Sequence, residues 1–190
     1  MGLTIQRKKD ERVIRAFTHK LADIPDGVTV SVADFTQKKL FEGTPVGKDE
    51  NGLYHIVKTA KVRTAADANA TTYQVEKGHN FKVGDFLGNA AKAYAITAID
   101  TSNASYDVLT VGTTLGAAAV GHVLFEGDKA AASGVTYKYA PVALVGESYD
   151  VDSQSNLVVN AWTIAQIREA NVVVPIGTNI KDALKGIVFI

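Results

Sequence analysis

The four histidines are the side chains of this sequence best suited to catalysis or metal binding, since the chain contains no cysteine. His19, His55, His79 and His122 stand far apart, and none has a partner at the i, i+4 spacing of a helical metal site. We therefore interpret them as structural residues. A hydrolase would need His55, His79 and a carboxylate to meet in one cleft, which a linear sequence does not reveal.

Two segments match ligand-binding motifs only in part. Residues 43–48 have three residues between the two glycines where a phosphate-binding loop has four, and Asp49 follows the lysine where Ser or Thr is needed. Residues 150–161 begin like a calcium loop, but Ser155 and Ala161 stand where glycine and glutamate are required. A Gly-x-Ser-x-Gly motif is also absent. The sequence predicts no catalytic, cofactor or metal site, and hence a protein that is not an enzyme.

Length and charge narrow the function classes further. The 190 residues are 46% hydrophobic, enough for a substantial core. Twenty basic and twenty acidic residues cancel, so we expect neither nucleic acid nor a membrane surface as a partner. The N-terminal stretch lacks the apolar run of a secretory signal, and no segment approaches the roughly 18 apolar residues that cross a bilayer. A cytosolic origin fits these observations best.

Basic residues cluster in an N-terminal arm that we place at residues 1–39. Apolar residues at Val13, Phe17 and Leu21 are spaced by four, which predicts a short amphipathic helix over residues 7–22. The positive charge belongs either to a solvated helix face or to a surface that docks on another protein. The residues of the arm that are candidates for contact with another protein or a further subunit are Arg7, Lys8, Lys9, Arg12 and Arg15.

Alternating valines at 28–32 predict a half-buried strand. Between residues 76 and 134, glycines separate short apolar segments, a texture typical of a small barrel or sandwich. Residues 99–106 predict a hairpin turn, because Asp and Asn side chains bond their own backbone in turns. We interpret 76–134 as an inserted β subdomain.

The C-terminal region contains further strand and helix patterns. An apolar strand is predicted at 137–145, and 156–159 is expected to pair back with it. Apolar residues three apart between Trp162 and Ile167 predict a helix with its polar residues outward. A second helix is predicted to be capped at Thr178 or Asn179 and to end at Gly186, before a strand that closes the chain. The outward residues that are candidates for contact with a neighbour are Gln166, Arg168 and Glu169.

The fold class expected from these patterns is mainly β (α+β). A β-rich core with two short C-terminal helices comprises residues 40–75 and 135–190. A small β-barrel or β-sandwich subdomain, residues 76–134, is inserted into it. The core is expected to supply the outward contact residues.

Three stretches of the sequence carry a resemblance to a known family. They are residues 43–62 (GTPVGKDENGLYHIVKTAKV), 70–87 (ATTYQVEKGHNFKVGDFL) and 97–116 (TAIDTSNASYDVLTVGTTLG). The opening stretch of the sequence adds to the resemblance. They resemble the head fibre or capsid decoration proteins of tailed phages. The resemblance covers most of the chain from about residue 40 onward.

The resemblance implies a virion structural protein, made in the host bacterial cytoplasm and then bound to the outside of the capsid. Its partners would be the major capsid protein and two further copies of itself in a homotrimer. It would stabilise the shell or project from it. The alternative is a non-catalytic carbohydrate-binding or adhesive β module, which would bind a host-surface glycan through exposed aromatic residues such as Tyr94, Tyr106 or Trp162.

Overall fold

The computed structural model describes residues 15–152 and 155–190. The fold is mainly β, with 43% of the described residues in strands and 7% in helices. The coarse fold class is therefore confirmed, but only one of the two expected C-terminal helices is present, α1 (Thr178–Ala183). The strands of the described residues are β1 (Phe17–Asp23), β2 (Val28–Val30), β3 (Lys39–Leu40), β4 (Pro45–Lys48), β5 (Tyr54–Ile56), β6 (Thr59–Lys61), β7 (Thr72–Glu76), β8 (Phe86–Asn89), β9 (Lys92–Asp100), β10 (Tyr106–Val111), β11 (Val123–Glu126), β12 (Ala143–Val145), β13 (Tyr149–Asp150), β14 (Leu157–Val159), β15 (Ala161–Ile167) and β16 (Ile187–Phe189).

The first sheet has eight strands, in the order β1-β15-β12-β4-β5-β2-β14, with β16 running parallel to β15. Its central strands are buried on both faces. In β12, Leu144 packs in one hydrophobic cluster while Ala143 and Val145 pack in another, as expected from the alternation of side chains along a strand. Helix α1 covers the first of these clusters with Ile180.

The second sheet has six strands, in the order β6-β11-β8-β9-β10-β7. It curls until its two outermost strands meet, because Val62, just after β6, forms an antiparallel bridge with Val75 of β7. Strands β9 and β10 form the hairpin predicted at residues 99–106. Asp100 and Asn103 accept hydrogen bonds from the backbone N–H groups of Ser102 and Ser105, as the turn chemistry predicts.

The interior of the second sheet is organised around Tyr73, whose side chain is fully buried. Its hydroxyl lies 2.9 and 3.0 Å from the carbonyl oxygens of Ala70 and Gly116, and it accepts a hydrogen bond from the N–H of Leu115. One side chain thus joins two loops to the core. The other large apolar side chains of this interior are Phe81, Leu87, Ile96, Leu109 and Leu124.

The chain crosses between the two sheets twice. It leaves the first sheet after Ile56 and enters the second at Thr59, and it leaves the second after Glu126 to rejoin the first at Ala143. The second sheet thus includes strands on the N-terminal side of residue 76. The division of the chain into a core and an insertion at 76–134 stays a prediction.

The helix predicted over residues 7–22 is wrong for the part that the structure describes. Residues 17–23 form strand β1, which pairs antiparallel with β15 along its full length. Register shifts at three points along this pairing interrupt the simple alternation. A spacing of four residues fits one face of a helix and also one face of a regular strand, but in β1 Phe17 is buried whereas Leu21 is 74% exposed. Residues 7–14 lie outside the described residues.

The helix predicted around Trp162 is also wrong, since residues 161–167 form strand β15. This strand pairs with β1 on one side and with β12 and then β16 on the other, so its backbone groups are satisfied within the sheet. Ala165 and Ile167 are buried, while Ile164 on the opposite face is 46% exposed. Burial along β15 therefore repeats every two residues, as in a strand, and the three-residue spacing of its apolar residues does not reflect a helix.

The predicted pairing of residues 156–159 with residues 137–145 is wrong as well. Strand β12 covers only Ala143–Val145, and both of its edges are occupied by β4 and β15. Strand β14 pairs instead with β2 at the far edge of the sheet.

Helix α1 confirms the second predicted helix, with changed ends. Its N-cap is Gly177, without a side-chain cap. Gly186 is not a left-handed cap. It is required because a Cβ at that position would lie 2.3 Å from the carbonyl oxygen of Thr163.

Candidate interaction surface

The residues predicted to contact a neighbour meet at one end of the first sheet. Arg15 is exposed, and its carbonyl oxygen accepts a hydrogen bond of 2.9 Å from Asn171 Nδ2. Exposed Arg168 donates its backbone N–H to Ala16, the residue after Arg15. The remaining arm residues, Arg7, Lys8, Lys9 and Arg12, lie outside the described residues.

The other two predicted contact residues have partners within the chain. Gln166 Oε1 accepts a hydrogen bond of 3.0 Å from Thr18 Oγ1 and lies 3.1 Å from His19 Nδ1. Glu169 Oε2 lies 2.6 Å from Lys181 Nζ. Gln166 therefore holds β1 against β15, and Arg15 and Arg168 are the more available of the four predicted residues that the structure describes.

Exposed apolar side chains lie on the strands β1, β15 and β16 and at the C-terminal residue. We define the apolar patch as Leu21 of β1, Ile164 of β15, Val188 of β16 and Ile190, which are between 46% and 74% exposed. Val188 is in register with Gln166, two residues beyond Ile164, and Ile190 is two residues beyond Val188. Since side chains alternate along a strand, Ile164, Val188 and Ile190 share one face. Sequence reasoning identified the apolar C-terminus but not Leu21 or Ile164, because it placed both in helices.

His55 has both ring nitrogens directed at carboxylates. Nδ1 lies 2.7 Å from Asp34 Oδ2, and Nε2 lies 3.6 Å from Asp49 Oδ2. The ring stacks on Tyr139 with 3.9 Å between centroids and an angle of 6°. The hydrogen bonds of Leu53 and Asn51 to Asp49 and its contact with His55 lower the pKa of the Asp49 carboxyl, against the opposing effect of desolvation. The imidazole is thus a structural link between these loops.

His79 has one ring nitrogen in a hydrogen bond and the other close to a carboxylate. Phe81 donates its backbone N–H to Nδ1 at 3.2 Å, and Nε2 lies 3.3 Å from Asp107 Oδ2, although not in good hydrogen-bond geometry. Burial lowers the pKa of His79, and Asp107 opposes that effect. His79 lines a cavity of about 170 Å³ whose wall does not include His55. The arrangement that would favour a hydrolase is therefore not formed there.

The aromatic side chains named for glycan binding are half-buried. The Arg63 guanidinium lies 5.8 Å from the Tyr106 ring centroid, and Lys20 Nζ lies 5.4 Å from that of Trp162. Tyr94 packs against the core of the second sheet. These three rings do not form an open stacking platform.

An ionic group lies where the chain crosses between the sheets, buried at Lys58 and Glu126 but with Lys138 37% exposed. We call it the junction cluster: Lys58, Asp85, Glu126 and Lys138. Lys58 Nζ lies 2.7 Å from Asp85 Oδ2 and 3.3 Å from Glu126 Oε1, and Lys138 Nζ lies 2.8 Å from the same Glu126 oxygen. Burial raises the pKa of Glu126, against the opposing effect of Lys58. The cluster joins the first crossing to the second sheet.

The structure offers no further sign of a cofactor in the part of the chain that it describes. Within residues 15–152 and 155–190 there is no group of three or more histidine or acidic side chains that could hold a metal ion. Those same residues contain no helix long and apolar enough to cross a membrane. Comparison with protein-family models, with curated proteins and with solved structures found no match to this chain.

Proposed function

We propose that this protein is a virion structural protein that binds the outside of a phage capsid as a head fibre or decoration protein. The observation that carries the proposal is a surface of the first sheet with two parts, the exposed Arg15 and Arg168 for contact with the shell and the apolar patch, joined to Glu169 through Ile190, for contact between copies. Exposed apolar side chains on neighbouring strands, next to basic residues, are typical of a protein-binding surface.

The surroundings of His55 and His79 also favour a binding role over catalysis. A general base needs a ring nitrogen that can reach a substrate, and the nitrogens of His55 and His79 face protein groups. The second candidate function, glycan binding, would use exposed aromatic residues, and the three that sequence reasoning named are half-buried. Protein binding therefore has the better support.

In the proposed mechanism the protein recognises the closed shell and not the free capsid subunits. Each bound copy then favours the assembled state by mass action. The N-terminal arm and the C-terminal end of the first sheet face the shell, and the second sheet points outward. The apolar patch packs between copies of a homotrimer around a threefold axis.

Charge substitutions in the apolar patch test this proposal. The double variant Ile164→Lys, Val188→Lys places two cations on the proposed interface, whereas both positions are solvent-exposed within the chain. We expect it to fold and to run as a monomer by light scattering. It should also fail to sediment with capsids assembled from the major capsid protein of the phage that encodes it.

Val158→Lys is the matched control. Val158 is 68% exposed on β14, at the opposite edge of the same sheet. This variant should remain trimeric and bind capsids as the unchanged protein does. Equal capsid binding by the double variant and the control would contradict the proposal.

A further inference from the structure

Lys58 lies between two carboxyl groups in a largely buried site. Its Nζ is 2.7 Å from Asp85 Oδ2 and 3.3 Å from Glu126 Oε1. The side chains of Lys58, Asp85 and Glu126 are 3%, 13% and 2% exposed. Because a carboxyl C–O bond is about 1.2 Å long, Asp85 Cγ lies within about 4 Å of the lysine nitrogen. Amine and carboxyl carbon are thus held almost at reacting distance.

We propose that Lys58 and Asp85 condense to an intramolecular amide bond, with Glu126 as the catalytic residue that transfers the protons. This self-modification goes beyond the proposed function, since it concerns how the chain completes its own fold.

The reaction needs no other reactant. Glu126 relays one proton from the Lys58 ammonium to the Asp85 carboxylate, which leaves a neutral amine and a neutral acid. The amine lone pair then forms a bond to Cγ of Asp85. A second N–H proton passes through Glu126 to the departing hydroxyl, the C–O bond breaks, and water leaves. Glu126 ends as it began, and nothing is oxidised or reduced.

The surroundings of Asp85 favour attack at its carboxyl carbon. The backbone N–H of Lys82 donates a hydrogen bond of 2.8 Å to Asp85 Oδ2. A fixed donor at this oxygen stabilises the negative charge that develops on it during attack. Oδ2 is then retained as the amide oxygen, and the other carboxyl oxygen departs as water.

Glu126 has the properties of a proton carrier in this site. Its Oε1 contacts Lys58 and Lys138, but its buried Oε2 has no hydrogen-bond partner. An unsatisfied buried carboxylate oxygen is costly and calls for an explanation beyond stability. Burial raises the pKa of Glu126, so the group accepts a proton more readily than an exposed glutamate.

Low polarity also drives the reaction towards the amide. A buried ammonium between carboxylates carries a large desolvation cost, whereas an amide and a released water are neutral. Two solvated pairs of the same chain lack this driving force: Lys61–Glu76 at 3.0 Å, with both side chains more than 40% exposed, and Lys181–Glu169 at 2.6 Å, with 31% and 46% exposed. They are internal controls, because their nitrogen and oxygen atoms are equally close.

Intact-mass measurement of the denatured protein tests the proposal directly. We expect a mass lower than that of the sequence by one water molecule. A mass equal to that of the unmodified sequence would overturn the proposal, whatever any variant does.

Peptide mapping then locates the bond. Trypsin should leave Lys58 uncleaved, and fragmentation should identify a branched peptide that joins it to Asp85. A water loss at the Asp26–Gly27 step, where aspartate can cyclise, or at either solvated pair would overturn the assignment. So would a branch from Lys58 to Glu126.

Five variants complete the test. The full sequence mass is expected for Lys58→Met and for Asp85→Ala. The variant Glu126→Gln should stay largely unreacted. The control Lys61→Met should lose water as the unchanged protein does. Asp85→Asn should form the same amide with loss of ammonia. A cross-link that persists in Glu126→Gln at the unchanged rate would contradict the role of Glu126.

Discussion

Replacing Lys58 by methionine removes the only cation within 3.5 Å of the Asp85 carboxylate among the ion pairs of the described residues. Methionine fills much of the same volume without a charge. It leaves two carboxylates in a region where their side chains are 13% and 2% exposed. Removing one partner of a buried ion pair typically costs about 3–5 kcal/mol. We expect a loss of this size in the free energy of unfolding near neutral pH.

The pH dependence of this loss follows from Glu126. Its pKa in the folded protein is raised above the ordinary value of 4.5, and Lys58 opposes that rise. A carboxyl group whose pKa is raised in the folded protein destabilises the fold at pH values above that pKa. This destabilisation disappears as the pH falls through the raised pKa. Without Lys58 the pKa rises further, so the deficit of the variant should shrink as the solution is acidified.

Urea unfolding of Lys58→Met and of the control Lys61→Met measures this difference. Lys61 pairs with Glu76 at the surface, where an ion pair contributes about 0–1 kcal/mol. The slope of the unfolding free energy against urea reports the surface exposed on unfolding, so it should be smaller in Lys61→Met, whose unfolded chain keeps the amide cross-link, than in Lys58→Met. If the amide bond forms, Lys58→Met also loses its loop constraint, so the figure is a lower bound. Equal losses of under about 1 kcal/mol in both variants would refute the reasoning, because the junction cluster would then behave as a solvated pair.

Three further predictions concern the fold and the arm. Tyr73→Phe removes the hydroxyl that bonds Ala70, Leu115 and Gly116, and should cost about 1–3 kcal/mol by calorimetry; an unchanged melting temperature would contradict this role. The pKa of His79 is lowered in the folded protein, so stability should fall as the pH drops below the ordinary 6.5. Urea unfolding of His79→Gln at several pH values should not show this fall, and an identical pH dependence would exclude His79 as its source. Deletion of residues 1–14 leaves every described strand intact and should reduce capsid occupancy in a sedimentation assay, whereas undiminished attachment would exclude the arm from the interface.

Local patterns predicted those parts of the fold whose cause is local. The hairpin turn predicted before β10 follows from Asp100 and Asn103, which bond backbone groups two residues away. Helix α1 was also predicted from spacing. In each case the residues that determine the structure are neighbours in the sequence.

The two helix predictions failed because distant pairing overrides local spacing. Strand β1 is fixed by β15, nearly 150 residues further along the chain, as the contacts of Thr18 and His19 with Gln166 illustrate. The bulges in this pairing disturb the two-residue alternation that would have identified a strand. No window of about ten residues contains that information.

The candidate site was predictable to the same limited extent. Sequence reasoning found Arg15 and Arg168, which the fold brings to one end of the first sheet, and it noted the apolar C-terminus. It could not find the junction cluster, because Lys58 and Glu126 are 68 positions apart and neither lies in a recognisable motif. A buried lysine is revealed only when the surrounding strands are in place.

The most direct test of the proposed function is electron cryomicroscopy of purified virions of the phage that encodes this chain. The account predicts density for the two sheets on the outer capsid surface, in three copies around threefold axes. The apolar patch should lie between copies and the second sheet should point away from the shell. Virions whose capsid surface lacks this density, and whose purified particles lack the chain by mass spectrometry, would contradict the account.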